Sequence, residues 1–129
     1  MGAVEQRERA SVLVVEDDPD DLLIATLRLE RSGRFGQVLT ARSVPEALTL
    51  LRGGALPSLI LLDVNLGGAT GFDLLDALGP AIASSRVLIL SSSSAPKDLE
   101  RASSHAAVSE YLVKPLTRAA VERIADRYG

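Results

Sequence analysis

One short apolar run constrains the fold of this chain more than any other stretch of its sequence. Leu59 to Leu62 are consecutive apolar residues, preceded by Pro57 and followed by Gly67 and Gly68. A run of this length between turn residues predicts a strand that is buried on both faces of a sheet. The run ends at Asp63, which is expected at the carboxyl edge, where open α/β sheets bind ligands. The stretch alone is equally consistent with an aspartate that starts a loop or caps a helix.

Strands of the same kind alternate with helical patterns along the rest of the chain. The other predicted strands are Ser11–Val15, Gln37–Ala41, Arg86–Leu90 and Val108–Val113. Helical patterns cover about residues 22–31, 43–52, 71–78, 95–105 and 117–127. This alternation predicts a parallel sheet with helices on both faces. We therefore expect an α/β fold of the flavodoxin-like, doubly wound (βα)5 type, with a five-stranded parallel sheet in the order 2-1-3-4-5.

The first predicted helix begins next to an acidic segment. Asp18 can cap the free N–H groups and Pro19 suits the first helical position, so we interpret Asp18 as a cap rather than a metal ligand. Asp20 and Asp21 fall in the first turn, where the helix dipole favours carboxylates, and are interpreted as structural. The helical spacing places three apolar residues on one face: Leu23, Ile24 and Leu27.

The length and composition are those of a single aliphatic domain. The chain has 129 residues, with 47% hydrophobic and 3% aromatic residues. We expect a flexible, polar lead-in at residues 1–10 and one domain at residues 11–129. No apolar run reaches membrane-spanning length, and the N-terminus has no signal-peptide core. A cytoplasmic protein without a membrane partner is therefore expected.

Charge and cysteine content exclude two further classes of function. The net charge of −3 argues against direct binding of nucleic acid, because a duplex requires a basic face. The sequence contains no cysteine, which excludes disulfides, thiolate nucleophiles and cysteine metal sites.

The carboxyl ends of four predicted strands carry an unusual set of polar residues. Glu16 and Asp17 follow the first strand, Asp63 the third, Ser91 the fourth and Lys114 the fifth. Crowded carboxylates repel one another, and an all-oxygen set that resolves this repulsion with a divalent cation suits Mg²⁺. A carboxylate nucleophile, Mg²⁺, an ammonium and a hydroxyl together suit the retention of a phosphoryl group on an aspartate.

Motifs at these strand ends carry a resemblance to a known family. They are Val14-Val15-Glu16-Asp17-Asp18-Pro19, Leu61-Leu62-Asp63-Val64-Asn65, Leu90-Ser91-Ser92 and Tyr111-Leu112-Val113-Lys114-Pro115. Over about residues 11–128 the chain resembles the receiver domain of two-component response regulators. Since the sequence ends one helix after Lys114, we expect a stand-alone, single-domain receiver, with a receiver cut from a longer chain as the alternative.

The resemblance implies a metal site and a phosphoacceptor. Asp63 matches the residue that accepts the phosphoryl group, and Asp17 matches the direct ligand of Mg²⁺. Glu16 matches the residue that reaches the metal through water, and Asn65 the one whose backbone carbonyl completes the site.

The resemblance also implies a switch. Ser91 and Lys114 match the residues that contact the phosphoryl group, and Tyr111 matches the aromatic that turns inward when Ser91 moves. The Lys114-Pro115 bond is expected to be cis. Ser92 to Ser94 are interpreted mainly as loop and cap residues, with Ser93 beside the path of hydrolysis, and His105 as a solvated histidine.

The sequence departs from the family pattern at two places. The loop from Leu66 to Gly71 is richer in glycine, which predicts a looser backbone after Asp63. Ala107 stands where the family usually has glycine, and would be strained if the backbone there requires a positive φ.

The resemblance implies a phosphorylation-dependent signalling switch. A sensor histidine kinase or phosphotransfer protein would pass a phosphoryl group to Asp63, and the receiver, not itself an enzyme, would assist only its own phosphorylation and dephosphorylation. The signal would leave by protein–protein contact through helix 4, strand 5 and helix 5, with a homodimer as a family habit. The charged residues expected on this contact surface are Lys97, Arg101, Arg118, Glu122 and Arg123.

Two other functions stay open from the sequence. One is a receiver-like adaptor that acts without phosphorylation. The other is an aspartate-nucleophile phosphatase of the dehalogenase type, which requires a second aspartate where this chain has Asn65.

Overall fold

Five parallel strands form one sheet in the computed structural model, which describes residues 9–92 and 95–129. The strands are β1 (Val12–Val15), β2 (Val38–Ala41), β3 (Leu59–Leu62), β4 (Arg86–Ser91) and β5 (Val108–Val113). Their spatial order is β2-β1-β3-β4-β5, which confirms the predicted flavodoxin-like topology. The expected lead-in at residues 1–10 lies outside the described residues apart from Arg9 and Ala10, and Ala10 is buried.

Each strand is followed by a helix, and the first four helices return the chain to the start of the next strand. The helices are α1 (Pro19–Ser32), α2 (Val44–Arg52), α3 (Gly71–Leu78), α4 (Pro96–Ser104) and α5 (Arg118–Tyr128). Asp18 caps α1, as predicted: its carboxylate accepts the N–H groups of Asp20 and Asp21 at 2.8 and 3.1 Å. None of the described helices is long and apolar enough to cross a membrane.

The sheet separates two cores because successive strand side chains point to opposite faces. Val12 and Val14 pack with the buried side of α1 and α5, whereas Leu13 and Val15 pack with residues of α2, α3 and α4. β1 and β3 are buried along their whole length, as the uninterrupted apolar run of β3 predicts.

The buried side of α1 differs from the apolar face given by its sequence spacing. Leu23, Ile24 and Leu27 are 57%, 42% and 37% exposed, while Ala25 and Leu29 pack against the sheet. α1 carries apolar residues around much of its circumference, and the sheet and α5 cover only one side of it. The exposed side borders a groove of about 620 Å³ between α1 and α5.

Candidate functional site

The backbone ladder brings two carboxylates together at the carboxyl edge of the sheet. Asp63 follows β3, and its N–H donates to the carbonyl of Val15 at 3.0 Å, which continues the pairing of β1 with β3. Glu16 follows β1, and its N–H donates to the carbonyl of Ala41 at 3.0 Å. Asp63 and Glu16 are only 6% and 4% exposed, so the fold holds both acids in a nearly dry environment.

A third carboxylate completes an acidic cluster at this edge. Glu16, Asp17 and Asp63 each contribute one oxygen, and these oxygens lie within 4.8 Å of one another. Such hard oxygen donors, two of them buried and of like charge, fit a Mg²⁺ ion. Asn65 lies beside the cluster, where its backbone N–H donates to Asp63 Oδ1 at 3.3 Å.

Lys114 binds this cluster from the end of β5. Its Nζ donates to Glu16 Oε1, to Asp21 Oδ2 at 2.9 Å and to Asp63 Oδ2 at 3.0 Å. The side chain of Lys114 is 11% exposed. An ammonium has three N–H donors, so the three carboxylates use its full capacity.

Asp21 is the residue of this site that sequence reasoning missed, because its place in the first turn of α1 was interpreted as structural only. The sequence nevertheless contained a signal that Asp21 could lie at the site. α1 begins at the carboxyl edge of the sheet, and helical side chains tilt toward the N-terminus. A first-turn carboxylate can therefore lie beside the residues that end the strands.

Burial and hydrogen bonding shift the pKa values of two groups at this site, Glu16 and Lys114. Burial raises the pKa of Glu16 to about 7, although the hydrogen bond from Lys114 opposes this and Asp63 adds to it. Burial acts to lower the pKa of Lys114, but its hydrogen bonds to Glu16, Asp21 and Asp63 outweigh burial and raise the pKa well above 10.5. Lys114 therefore stays charged, and negative charge remains in excess around it.

Ser91 and Tyr111 lie on the neighbouring strands. Ser91 ends β4 and is fully buried, and its carbonyl accepts the N–H of Lys114 at 2.8 Å. Tyr111 lies in β5 opposite Ile89, is half-buried and packs against the core of α2, α3 and α4. The Lys114-Pro115 bond is cis, as the resemblance implies. Ser93 and Ser94 lie outside the described residues.

The glycine-rich segment after Asp63 is paired, although its sequence predicts a looser loop. Asn65–Leu66 and Ala69–Thr70 form a small antiparallel hairpin. Gly67 and Gly68, which make its turn, have φ of +53° and +85°, values that glycine adopts without strain. A Cβ on Gly67 would lie 3.5 Å from Asp17 Oδ2, so the turn lies beside the acidic cluster.

Gly71 allows the start of α3 to approach the backbone that carries Asp63. Its N–H donates to the carbonyl of Val64 at 2.8 Å. A Cβ at this position would lie 2.4 Å from the carbonyl oxygen of Asp63 and 2.9 Å from Leu62 Cγ, closer than real contacts allow. Glycine at residue 71 is therefore required for Asp63 to hold its position.

Near β5, the condition for strain at Ala107 is not met, and the expectation for His105 is corrected. No non-glycine residue in the described part of the chain has a positive φ, so Ala107 is not strained. His105, expected to be solvated, ends α4: its Nδ1 accepts the N–H of Ala107 at 3.2 Å, and its Nε2 lies 3.0 Å from Asp76 Oδ1. With Nδ1 as acceptor, Nε2 carries the proton and donates to Asp76. The reason is that the turn between α4 and β5 brings the backbone N–H of Ala107 to the imidazole ring.

The charged residues expected on the output surface have different surroundings. Arg118 and Glu122 border the groove between α1 and α5. Arg123 donates to Glu110 of β5, and the guanidinium of Arg101 lies 4.5 Å from the ring centre of Phe72. Lys97, on α4, is exposed.

Comparison with known proteins matches the chain to a described family. The model of the response regulator receiver domain matches residues 12–126 of the chain. No curated protein matches the sequence at a significant level.

Solved structures of response regulators share the fold. A two-component response regulator from Cytophaga hutchinsonii is 29% identical, with 95% of this chain and 98% of that chain covered and a TM-score of 0.84. The phosphorylated cyanobacterial phytochrome response regulator RcpA is 26% identical, with coverages of 92% and 90% and a TM-score of 0.76. The chemotaxis protein CheY4 of Vibrio cholerae is 25% identical, with coverages of 94% and 99% and a TM-score of 0.80.

Proposed function

Because this chain belongs to the response regulator receiver domain family, we propose that it is a phosphorylation-dependent switch with Asp63 as its phosphoacceptor. The observation that carries the proposal is the contact of the buried Asp63 carboxylate with Lys114, beside Glu16 and Asp17. One relative, RcpA, was crystallised in phosphorylated form. The phosphodonor of this chain is a sensor histidine kinase or a phosphotransfer protein.

The transfer is a substitution at phosphorus. A carboxylate oxygen of Asp63 forms a bond to the phosphorus of a phosphohistidine donor, and the donor's P–N bond breaks. Its electron pair stays on the imidazole nitrogen, which takes a proton from water. Lys114 Nζ and the Ser91 hydroxyl donate to the oxygens of the transferred group, whose charge they offset.

In this proposal Asp17, Asp63 and the backbone carbonyl of Asn65 would bind Mg²⁺ directly, and Glu16 would reach it through water. The acidic cluster supports it, because two buried carboxylates of like charge need a compensating cation. Mg²⁺, when bound, supplies positive charge against the phosphoryl oxygens. The chain itself supplies the orientation of Asp63, through the ladder from Val15 and the close approach of Gly71.

The output of the switch is a change in protein–protein contact. Movement of Ser91 toward the phosphoryl group lets Tyr111 turn inward. This changes the surface formed by α4, β5 and α5. A downstream partner or a second copy of the chain binds that surface. Residues 11–129 act as the receiver, in the cytoplasm and without direct contact with nucleic acid or membrane. The net charge of −3 agrees with a protein partner.

Intact-mass measurement after incubation with acetyl phosphate, with and without MgCl₂, tests this function. Wild type is expected to gain one phosphoryl group only with MgCl₂, because the metal offsets the charge repulsion at the site. Asp63→Asn is expected to gain none. The matched control Asp20→Asn, which removes an exposed carboxylate at the same edge, is expected to behave as wild type.

Two results would contradict the proposal. An adduct on Asp63→Asn equal to that of wild type would place the phosphoryl group on another residue. A wild type that stays unmodified both by acetyl phosphate and by a histidine-phosphorylated donor protein would favour the adaptor that works without phosphorylation.

A further inference from the structure

Asp21 contacts the Lys114 ammonium from outside the acidic cluster. Its Oδ2 lies 2.9 Å from Lys114 Nζ, and its side chain is 39% exposed. The carboxylates that group closely enough to hold a metal among the described residues are Glu16, Asp17 and Asp63, and Asp21 is not one of them. Asp21 thus interacts with the cluster through Lys114.

The donors of Lys114 are all in use before any phosphoryl group arrives. Glu16, Asp21 and Asp63 each accept from Nζ. Phosphorylation of Asp63 removes the charge of that carboxylate, and the new phosphoryl oxygens then compete with Glu16 and Asp21 for the N–H donors of Lys114. The side chain of Glu16 is only 5% exposed, whereas Asp21 is accessible and water can solvate it once it is released. Asp21 is the carboxylate that is released at least cost.

We propose that Asp21 is a positioning residue that competes with the phosphoryl group for Lys114 and so limits how much phosphoryl group Asp63 retains. This inference rests on the proposed function of Asp63. Asp21 disfavours the phosphorylated state in two ways. It draws the ammonium toward the first turn of α1, and its own negative charge repels the phosphoryl oxygens.

The geometry sets the size of the effect. The oxygens of Asp21 and Asp63 lie 2.9 and 3.0 Å from the same nitrogen, so they are at most about 6 Å apart. A unit charge about 6 Å from a like charge, at the effective dielectric constant of roughly 40–80 that suits the partly exposed side chain of Asp21, changes an equilibrium about threefold to tenfold. Removal of the Asp21 charge is expected to raise the ratio of phosphorylated to unphosphorylated protein by this factor.

The experiment compares wild type, Asp21→Asn and the matched control Asp20→Asn. Each is titrated with acetyl phosphate at fixed MgCl₂, and the steady-state phosphorylated fraction is read by intact mass. Both substitutions remove one carboxylate from the first turn of α1, so effects on the helix dipole are matched, and Asp20 is exposed. The expected result is a threefold to tenfold higher ratio for Asp21→Asn and an unchanged ratio for Asp20→Asn.

A conservative variant separates positioning from a structural role. Asp21→Glu restores a carboxylate that can reach Lys114, so its phosphorylated fraction should return toward the wild-type value. Urea unfolding of all variants identifies any change in the amount of folded protein. A purely structural role of Asp21 would change unfolding without this reversal of the phosphorylated fraction.

The outcomes separate this inference from the proposed function. If wild type is phosphorylated on Asp63 and Asp21→Asn has the same ratio as Asp20→Asn, competition for Lys114 is wrong and the phosphoacceptor stands. A lower ratio for Asp21→Asn also overturns the inference, because Asp21 would then assist Lys114. If wild type accepts no phosphoryl group from any donor, both fail together.

Discussion

Two ion clusters lie along the last strand of the sheet, and their compositions are inverse. At the carboxyl end of β5, the single ammonium of Lys114 contacts three carboxylates. Within β5, the single carboxylate of Glu110 contacts the guanidiniums of Arg123 and Arg127 and the hydroxyl of Tyr128. One cluster has an excess of negative charge, and the other an excess of positive charge.

Burial distinguishes the two clusters. The side chains of Arg123 and Arg127 are 44% and 58% exposed, so water screens the excess charge around Glu110. The side chains of Glu16 and Asp63 are 5% and 8% exposed, and little water screens their repulsion. The Glu110 cluster ties β5 to α5, whereas the Lys114 cluster retains a charge imbalance that is typical of a functional site.

The pKa shifts of the two glutamates have opposite signs. Burial alone would raise the pKa of Glu110, but hydrogen bonds from Arg123 and Tyr128 outweigh it and lower the pKa below 4.5. Burial raises the pKa of Glu16 to about 7, and the hydrogen bonds from Lys114 and from the Asp18 N–H do not offset it. The same residue type is thus stabilised in its charged form in one cluster and destabilised in the other.

Among substitutions in the two clusters, removal of the Lys114 ammonium should change the free energy of unfolding most. Lys114→Met leaves Glu16 and Asp63 buried without their cationic partner, which we expect to reduce the free energy of unfolding by about 3 kcal/mol. Urea unfolding without MgCl₂ measures this loss, and addition of MgCl₂ should recover part of it. Lys97→Met, at an exposed lysine, should change the free energy by less than about 0.5 kcal/mol. Equal stability of the two variants would mean that Glu16 and Asp63 do not require the Lys114 ammonium to offset their charges.

Removal of one excess carboxylate should have an intermediate effect of opposite sign. In Asp63→Asn the repulsion of Glu16 disappears. The two oxygens of Asp63 accept separately from Asn65 and Lys114, so the single amide oxygen keeps one of these bonds, and the relief of repulsion outweighs the lost bond. We expect the free energy of unfolding to rise by about 1 kcal/mol when measured by urea without MgCl₂. Asp20→Asn, at an exposed carboxylate, serves as the control. A decrease in stability of Asp63→Asn would show that Lys114 already balances the cluster.

Removal of the Glu110 charge should have the smallest effect. Glu110→Gln breaks half-exposed ion pairs, and we expect a loss of about 0.5–1 kcal/mol at pH 7. A carboxyl group whose folded-state pKa lies below its unfolded value stabilises the fold above that unfolded value, near 4.5, and this stabilisation is lost as the pH falls through the folded-state pKa. The difference between wild type and Glu110→Gln should therefore shrink when urea unfolding is repeated from pH 7 to pH 3. Glu100→Gln, at an exposed glutamate, serves as the control for the loss of a surface carboxylate. A difference between wild type and Glu110→Gln that grows at low pH would contradict the lowered pKa of Glu110.

Sequence reasoning predicted much of the site for one reason. Residues that end parallel strands lie at the same edge, so Glu16, Asp17, Asp63 and Lys114 could be brought together without coordinates, and the structure brings them into contact. Their roles in phosphoryl transfer stay predictions.

Loop geometry was harder to predict. Glycine content alone suggested a loose segment after Asp63, whereas its two central glycines make the turn of a hairpin beside Asp17. Likewise, His105 is bound at the end of α4 because the backbone of Ala107 and the carboxylate of Asp76 are close in space.

By itself, the sequence determined the order of strands and helices, the sheet topology and the charged edge. Apolar runs, turn residues and the handedness of βαβ connections leave few other arrangements. Only the tertiary structure decided which side of α1 is buried, because Ala25 and Leu29 rather than Leu23, Ile24 and Leu27 face the sheet. The same rotation of α1 brings Asp21 to Lys114, 93 residues away, a contact that depends on how the helix packs and not on any local pattern.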